Sequence, residues 1–365
     1  MASAETVRAF WMDGPEKAEL RDVPRPGIGA ADGLLRVEMA GVCGTDLKIY
    51  RGRYAGRQGW PLIPGHEICG VIEELGDEAA ARWGVAVGDR VALDSFLTCG
   101  LCEACMAGNS RYCTTLGDYG VSMSSERPPH LWGGFAERVY LDRGAQVHAL
   151  PEGCSFELGV LVPAVVSNAL RWVGDVGGVS LGSRLLIQGP GPIGLASVVV
   201  ARALGAATVL VSGLPEDAAR LALARELGAD AAVHAGPELE EAVAAATAGE
   251  GVDVVLEVSG APSAIAAAPS LVRRQGTIVL AGLSGGHSAA LPCDLVALQE
   301  IAIKGVFSHD RAAVKRGLAF ATERREIFDA FVTHRYPLEE TAEAIEVVGS
   351  GDPNLIKSVV LPAGV

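Results

Sequence analysis

The amino-acid sequence predicts an α/β protein of two domains, an irregular antiparallel β-barrel and a doubly wound parallel sheet. Three observations lead there. A chain of 365 residues is too long for one ordinary core. Its N-terminal part reads as many short strands broken by glycine and proline turns before any long helix. Beyond Phe156 the texture changes to apolar strands alternating with helices, the pattern of a sheet covered on both faces.

The elements follow in chain order. Short apolar runs between Val7 and Ala40 are punctuated by Pro24, Pro26, Gly27, Gly29 and Gly33. Leu34 to Met39 then reads as a strand leading into a loop at Cys43. Ile68 to Leu75 and Arg90 to Leu93 are further strands, turned by Gly76, Gly84 and Gly88, and the barrel pattern resumes at Gly133 to Val139. Leu158 to Trp172 is a mostly apolar helix. Arg184 to Gln188 is a buried strand, followed by a glycine turn and a small-residue helix from Ile193 to Leu204. Strands at Thr208–Ser212, Ala231–Val233, Val252–Val258 and Thr277–Leu283 alternate with helices at Asp217–Leu227 and Glu238–Ala248. Gly228 stands where a helix C-cap needs it. From Ile303 shorter pieces return, including Phe331 to Leu338.

Composition narrows the function classes. Hydrophobic residues make up 49% and charged residues 20%, which excludes a disordered chain. A net charge of −14 disfavours a nucleic-acid partner, which needs a concentrated basic face. Met1 to Leu20 is mixed and charged, unlike a signal or transit peptide. The apolar stretch Ile193–Leu214 is interrupted by Arg202, Ser212 and glycines, so it reads as core and no membrane partner is expected. Eight cysteines, four at metal spacing, point to thiolates in a reducing cytoplasm and away from disulfides.

Three constellations carry chemistry. Cys99, Cys102, Cys105 and Cys113 form C-x2-C-x2-C-x7-C, close enough in sequence for one loop to close around zinc. A closed four-thiolate cage leaves no position for substrate, so this zinc is structural. Gly189-Pro190-Gly191-Pro192-Ile193-Gly194 is a G-x-G-x-x-G fingerprint between a strand and a helix, the context in which it binds a dinucleotide. An acidic residue at the end of the second strand would hold an adenosine ribose, but Gly213 stands there. Ser212 and Arg220 suit a 2′-phosphate, which favours NADP(H) over NAD(H). The third constellation is Cys43, Thr45, Asp46, His66 and Glu67, a candidate active site; Trp60, Trp132 and His309 are candidate neighbours of a small-molecule substrate.

Gly41-Val42-Cys43-Gly44-Thr45-Asp46, Gly65-His66-Glu67, the four-cysteine loop, Gly133-Gly134-Phe135-Ala136-Glu137 and the fingerprint together resemble the zinc-containing medium-chain alcohol dehydrogenase superfamily over nearly the whole chain. The resemblance implies a GroES-like catalytic domain from residues 1–157 and 303–365, with a structural zinc lobe near 95–115. It implies a Rossmann domain at 158–302, an active site in the cleft, and homodimers or homotetramers. It assigns Cys43 and His66 as ligands of catalytic zinc with Glu67 beside them, the Thr45 hydroxyl as proton acceptor, and Asp46 as the group that orients a ligand. Two positions depart from the pattern. Ala164 fills the slot of the remaining protein ligand, so either Glu67 binds the metal directly or the catalytic zinc is lost. Lys48 stands where many relatives carry a histidine that relays the proton. The resemblance therefore implies an NAD(P)-dependent dehydrogenase of a secondary or polyhydroxy alcohol. Two alternatives remain open: an NADPH-dependent reductase of an activated C=C or C=O bond without catalytic zinc, and a non-catalytic nucleotide-binding protein.

Overall fold

Short apolar runs set the first strands. The computed structural model describes residues 5–54, 56, 58–115 and 117–364, in two compact units, Met1–Ala164 with Asp310–Val365, and Val165–His309. In the first unit, β1 (Thr6–Gly14) buries Val7, Ala9 and Trp11 and pairs antiparallel with the mostly exposed β2 (Lys17–Pro24). The first of the short apolar runs before Gly33 are thus a hairpin of their own, ending at Pro24. β3 (Gly33–Val42) is buried along nearly its whole length and pairs antiparallel with β4 (Glu67–Leu75), which pairs with β5 (Arg90–Leu93). β6 (Arg138–Leu141) joins the start of β3, and β7 (Val147–Ala149) joins β5. The strand expected from Gly133 begins later because Gly133 is pressed onto Ile63: a Cβ there would stand 1.8 Å from the Ile63 carbonyl oxygen. Ile68, Ile72, Val91, Trp132 and Phe135 fill this core.

The apolar helix Phe156–Val176 has 21 residues, length and composition enough to cross a membrane, yet 72% of its most apolar window is buried inside the protein. Ser155 Oγ caps its start by accepting from Leu158 N at 3.1 Å. Its turns widen to π-type spacing at Val162–Val166, where Pro163 has no N–H to give the regular ladder.

The second unit is a six-stranded parallel sheet. β8 (Arg184–Gln188), β9 (Thr208–Gly213), β10 (Ala231–His234), β11 (Val252–Glu257), β12 (Val272–Leu280) and β13 (Ala302–Gly305) lie in the order β10-β9-β8-β11-β12-β13. The chain leaves β8 to one side and returns to its other side at β11. That reversal opens a crevice beyond the strand C-termini, where ligands of open α/β sheets bind. β12 starts at Val272, earlier than its apolar part, because the polar run Arg273-Arg274-Gln275 belongs to it. Arg273 Nε donates to Asp253 Oδ1 at 2.5 Å, and Asp253 Oδ2 accepts Arg184 N at 2.6 Å. One carboxylate thereby ties β8, β11 and β12 together. At the other edge, β13 is exposed throughout, with Leu298 and Phe307 exposed beside it.

The chain then returns to the first unit. β14 (Val332–Pro337) pairs parallel with β15 (Lys357–Leu361), and β15 pairs antiparallel with residues 40–42 of β3. The barrel sheet is therefore antiparallel except for one parallel pair, which a helical crossover between the two strands permits.

Candidate metal and cofactor sites

The four-cysteine loop closes on itself. The sulfurs of Cys99, Cys102, Cys105 and Cys113 lie within 4.8 Å of one another, and Cys99 Sγ is 3.9 Å from Cys105 Sγ. A tetrahedral zinc with Zn–S bonds of about 2.3 Å needs sulfurs roughly 3.8 Å apart. Backbone N–H groups of Leu101 and Cys102 donate to Cys99 Sγ, and Cys99 N donates to Cys113 Sγ. The first two, with Thr115, hold the Cys99 thiol down to about 6. Donors aimed at sulfur favour the thiolate a metal requires. All eight cysteines are unbridged.

The second cluster is built by a helix start. Cys43 is the N-cap of Gly44–Tyr50; its Sγ accepts from Thr45 N at 3.2 Å, while Asp46 Oδ2 accepts from Cys43 N at 2.9 Å. This reciprocal cap fixes the thiol on one side and leaves Asp46 Oδ1 on the other, 3.3 Å from His66 Nδ1. His66 Nε2 points the opposite way and lies 3.2 Å from Cys43 Sγ. Burial works against a charged imidazole, but Asp46 and Cys43 outweigh it and hold the His66 pKa well above the usual value. Burial likewise opposes the Asp46 carboxylate, and His66, the Cys43 N–H and Lys357 lower its pKa all the same. Thr45 stands in the first turn, next but one to Cys43.

Glu67 opens β4 and is buried, with one of its oxygens within 4.8 Å of Cys43 Sγ and a ring nitrogen of His66. Its Oε2 forms an ion pair with Lys357 Nζ, and both side chains are almost wholly buried. Gly41, directly opposite Glu67 in the sheet, makes room for the pair; a Cβ there would stand 2.1 Å from Oε2. Sequence reasoning did not single out Lys357. Its signal was a lysine opening an otherwise apolar strand, Lys357-Ser358-Val359-Val360-Leu361, where an unpaired ammonium would be costly. Thiolate, imidazole and carboxylate within reach of one point fit a zinc site with three protein ligands.

In the second unit the fingerprint follows β8. Gly189 has φ +113°, a conformation open to glycine. Gly194 opens close packing, since a Cβ there would stand 2.0 Å from the Gly189 carbonyl oxygen. Gly191 caps the helix Pro192–Ala203 and has open space where a Cβ would be, which leaves the backbone approachable for a pyrophosphate; Ile193 lies in the first turn. These features fit a dinucleotide. At the end of β9, Ser212 is buried, and Gly213 has a carboxylate close by after all. Asp217 Oδ2 accepts from Leu214 N at 3.0 Å and lies 3.1 Å from a Cβ position at Gly213, while Oδ1 accepts from Arg220 Nη1 at 2.9 Å. Glu257 and Gln188, neighbours at the ends of β11 and β8, are also buried there; Glu257 Oε1 accepts from Ser259 N and Gly260 N. Of the proposed substrate neighbours, Trp132 is core and donates Nε1–H to Arg127 O. Trp60 packs against Leu62 and Val121, and His309 is buried beside Ser308.

With this geometry in place, comparison with known proteins is informative. Residues 29–152 match the family of alcohol dehydrogenase GroES-like domains, and residues 192–323 match that of zinc-binding dehydrogenases. The chain is 37% identical over 345 residues to a probable alcohol dehydrogenase of Mycobacterium tuberculosis, covering 92% of this chain and 90% of that protein. It is 33% identical to the sorbitol dehydrogenase of Macaca fascicularis, covering 93% and 91%. Among solved structures it is similar to a zinc-binding dehydrogenase from Sinorhizobium meliloti bound to NADP, with TM-score 0.84, 30% identity, and 98% and 100% coverage. An alcohol dehydrogenase of Thermotoga maritima superposes with TM-score 0.88 at 26% identity, covering 98% and 100%.

The His66 loop rests on a backbone contact that tolerates no side chain. Gly120 has φ +65°, and a Cβ there would stand 2.2 Å from the Gly65 carbonyl oxygen. Gly120→Ala should therefore lose roughly 2–3 kcal/mol of stability, read as a lower urea midpoint. Wild-type stability in that variant would show that the two loops do not depend on each other.

Proposed function

The chain belongs to the zinc-containing medium-chain alcohol dehydrogenase superfamily, and from that footing we propose that it interconverts a secondary or polyhydroxy alcohol and its ketone. It is an oxidoreductase. The observation that carries the proposal is the convergence of Cys43, His66 and Glu67, with Thr45 in the first turn of the helix that Cys43 caps. Cys43 Sγ, His66 Nε2 and Glu67 would hold the catalytic zinc, with Glu67 in place of the ligand that Ala164 cannot supply. A zinc held there would supply Lewis-acid polarisation of the substrate oxygen, and the nicotinamide would supply hydride chemistry at the carbinol carbon. The protein's own residues do the rest. Asp46 holds His66 with Nδ1–H inward, which leaves Nε2 as the ligand atom. Thr45 Oγ1 takes the hydroxyl proton as the alcohol is oxidised and returns it in reduction. Lys357 pairs with Glu67 Oε2 and holds the carboxylate in place.

One observation favours a second reading. If Lys357 keeps Glu67 from the metal, Cys43 and His66 alone make a weak site, and the protein would be an NADPH-dependent reductase of an activated double bond. The two readings differ in metal content. Wild-type protein should hold two zinc ions per chain and His66→Ala one. One zinc per fully active wild-type chain would sink the zinc-polarised mechanism.

The cofactor is a nicotinamide dinucleotide, and we propose NADP(H) over NAD(H), with Gly189, Gly191, Pro192, Ile193 and Gly194 at the pyrophosphate and Ser212, Gly213 and Arg220 on the adenosine side. Arg220 shares its charge with Asp217, so a 2′-phosphate must compete for it. Arg220→Ala should cut the NADPH-to-NADH affinity ratio about tenfold, measured by fluorescence titration; an unchanged ratio would remove Arg220 from the site.

We propose further that copies associate through β13, an exposed edge strand with Ile303 on it and Leu298 and Phe307 beside it. Ile303→Lys should shift a homodimer or homotetramer to smaller species by analytical ultracentrifugation, and an unmoved assembly would locate the interface elsewhere. The unbridged thiols and the thiolate cage suit the cytoplasm.

A further inference from the structure

Glu257 ends β11 with a side chain of 0% exposure, directly after Val254, Val255 and Leu256. Arg184 and Arg273 are no counterions for it, since they pair with Asp253 and Glu250 near the start of the strand. A buried carboxyl without a cation is costly unless hydrogen bonds meet it. Here the donors come from turns. Oε1 accepts from Ser259 N at 2.8 Å, from Gly260 N at 2.9 Å and from the Ser259 hydroxyl. Burial pushes the carboxyl pKa upward, against the pull of these donors. Oε2 faces Gly282, where a Cβ would stand 2.8 Å from it. The Glu257 backbone carbonyl accepts from Ala281 N at 2.9 Å and Gly282 N at 3.0 Å. One residue thus fastens both the turn after β11 and the turn after β12.

The two turns lean on each other and on the fingerprint. A Cβ at Gly282 would stand 2.1 Å from Gly260 N, and one at Gly189 would stand 3.1 Å from Ser259 N. Val258 N donates to Gln188 O at 3.0 Å, so β8 and β11 stay tied up to the point where the turns begin. The order β10-β9-β8-β11-β12-β13 divides beside β8 into two halves, each a mononucleotide site in a dinucleotide-binding sheet. The half with β8 and β9 takes the adenosine mononucleotide, since the end of its second strand meets the adenosine ribose. The turns that Glu257 holds belong to the other half, which falls to the nicotinamide mononucleotide. Ser259 and Leu283 are exposed on them, while Glu257 lies beneath.

We propose that Glu257 is a positioning residue for the nicotinamide half of the cofactor, acting through the turns 258–260 and 281–283 without touching the cofactor itself. The role requires a nicotinamide dinucleotide and is the same for NADP(H) and NAD(H). Turns ordered before the ligand arrives spare binding the cost of ordering them. Without the carboxyl, Ser259 N and Gly260 N lose their acceptor, and cofactor binding must order the turns itself. The adenosine half, held by the fingerprint and the end of β9, does not depend on them.

The test measures Kd by calorimetry on the full-length protein, for whichever of NADPH and NADH the wild type binds more tightly. A parallel titration uses the matching adenosine half alone, adenosine 2′,5′-bisphosphate or ADP. Glu257→Ala should weaken the dinucleotide on the order of 10- to 100-fold, the worth of the lost hydrogen bonds, and the adenosine half by less than about threefold. Glu257→Asp, shorter by one methylene, draws the carboxyl back from the turns and should show the same selectivity at about tenfold, which keeps the test open if the alanine variant does not fold. Glu257→Gln keeps an acceptor in the same place and should recover most of the affinity. Equal losses for the dinucleotide and its adenosine half, the result of a merely structural role, would overturn the proposal. So would an unchanged dinucleotide affinity in the alanine or aspartate variant, or a glutamine variant as weak as the alanine one.

Discussion

The candidate active site depends on one buried carboxylate. Asp46 accepts from the Cys43 backbone with one oxygen and faces His66 with the other. That hydrogen bond and that close contact set the thiol, the imidazole and the helix that carries Thr45 in one frame. The cost of burying the charge is offset locally: His66, the Cys43 N–H and Lys357 all favour the ionised form. Without Asp46 the imidazole would lose its orientation and the helix its reciprocal cap. A metal that binds here must also displace the proton that Asp46 and Cys43 help His66 to keep, which makes the site's affinity pH-dependent.

Around that frame the architecture is mostly clearance. Gly41 yields space to Glu67 and Lys357, Gly120 lies on Gly65, and Gly133 lies on Ile63. The last two are backbone approaches that any Cβ would prevent, and the first clears space for buried side chains. Three distant segments, near residues 41, 65 and 120, can therefore share a small volume without large side chains between them. The aromatic core behind them, with Tyr119 6.1 Å and Tyr140 5.3 Å from the Trp132 ring, gives these loops a rigid floor.

The sequence made much of this legible, for reasons that can be named. β8 was readable because Arg184-Leu185-Leu186-Ile187-Gln188 is a short apolar run before a glycine turn. The four-cysteine lobe was readable because all its ligands lie in one loop. The pairing of β1 with β2 was not specified by the sequence because β2 is largely exposed and lacks alternation. Lys357 was invisible for a different reason. Its meaning lies in a partner roughly 290 residues away, and only the fold brings the two together. The absence of a carboxylate at Gly213 was a correct reading of that position, but Asp217 reaches back to it from the next turn.

Ala164 and Lys357 make sense together when charge is counted. With a divalent ion bound, a Cys43 thiolate and a Glu67 carboxylate would match its two charges, with His66 neutral. Lys357 then balances Asp46, whose carboxylate it helps to hold ionised. A ligand at residue 164 carrying a third negative charge would upset that balance in a region where unpaired charge costs several kcal/mol. With Glu67 as ligand, an alanine there leaves the centre neutral. Lys357 and Gly41 fit that arrangement: the ammonium pairs with Oε2, and the missing side chain at Gly41 leaves room for the carboxylate over β3. The same ion pair restrains the carboxylate, since Oε2 must stay within reach of the ammonium.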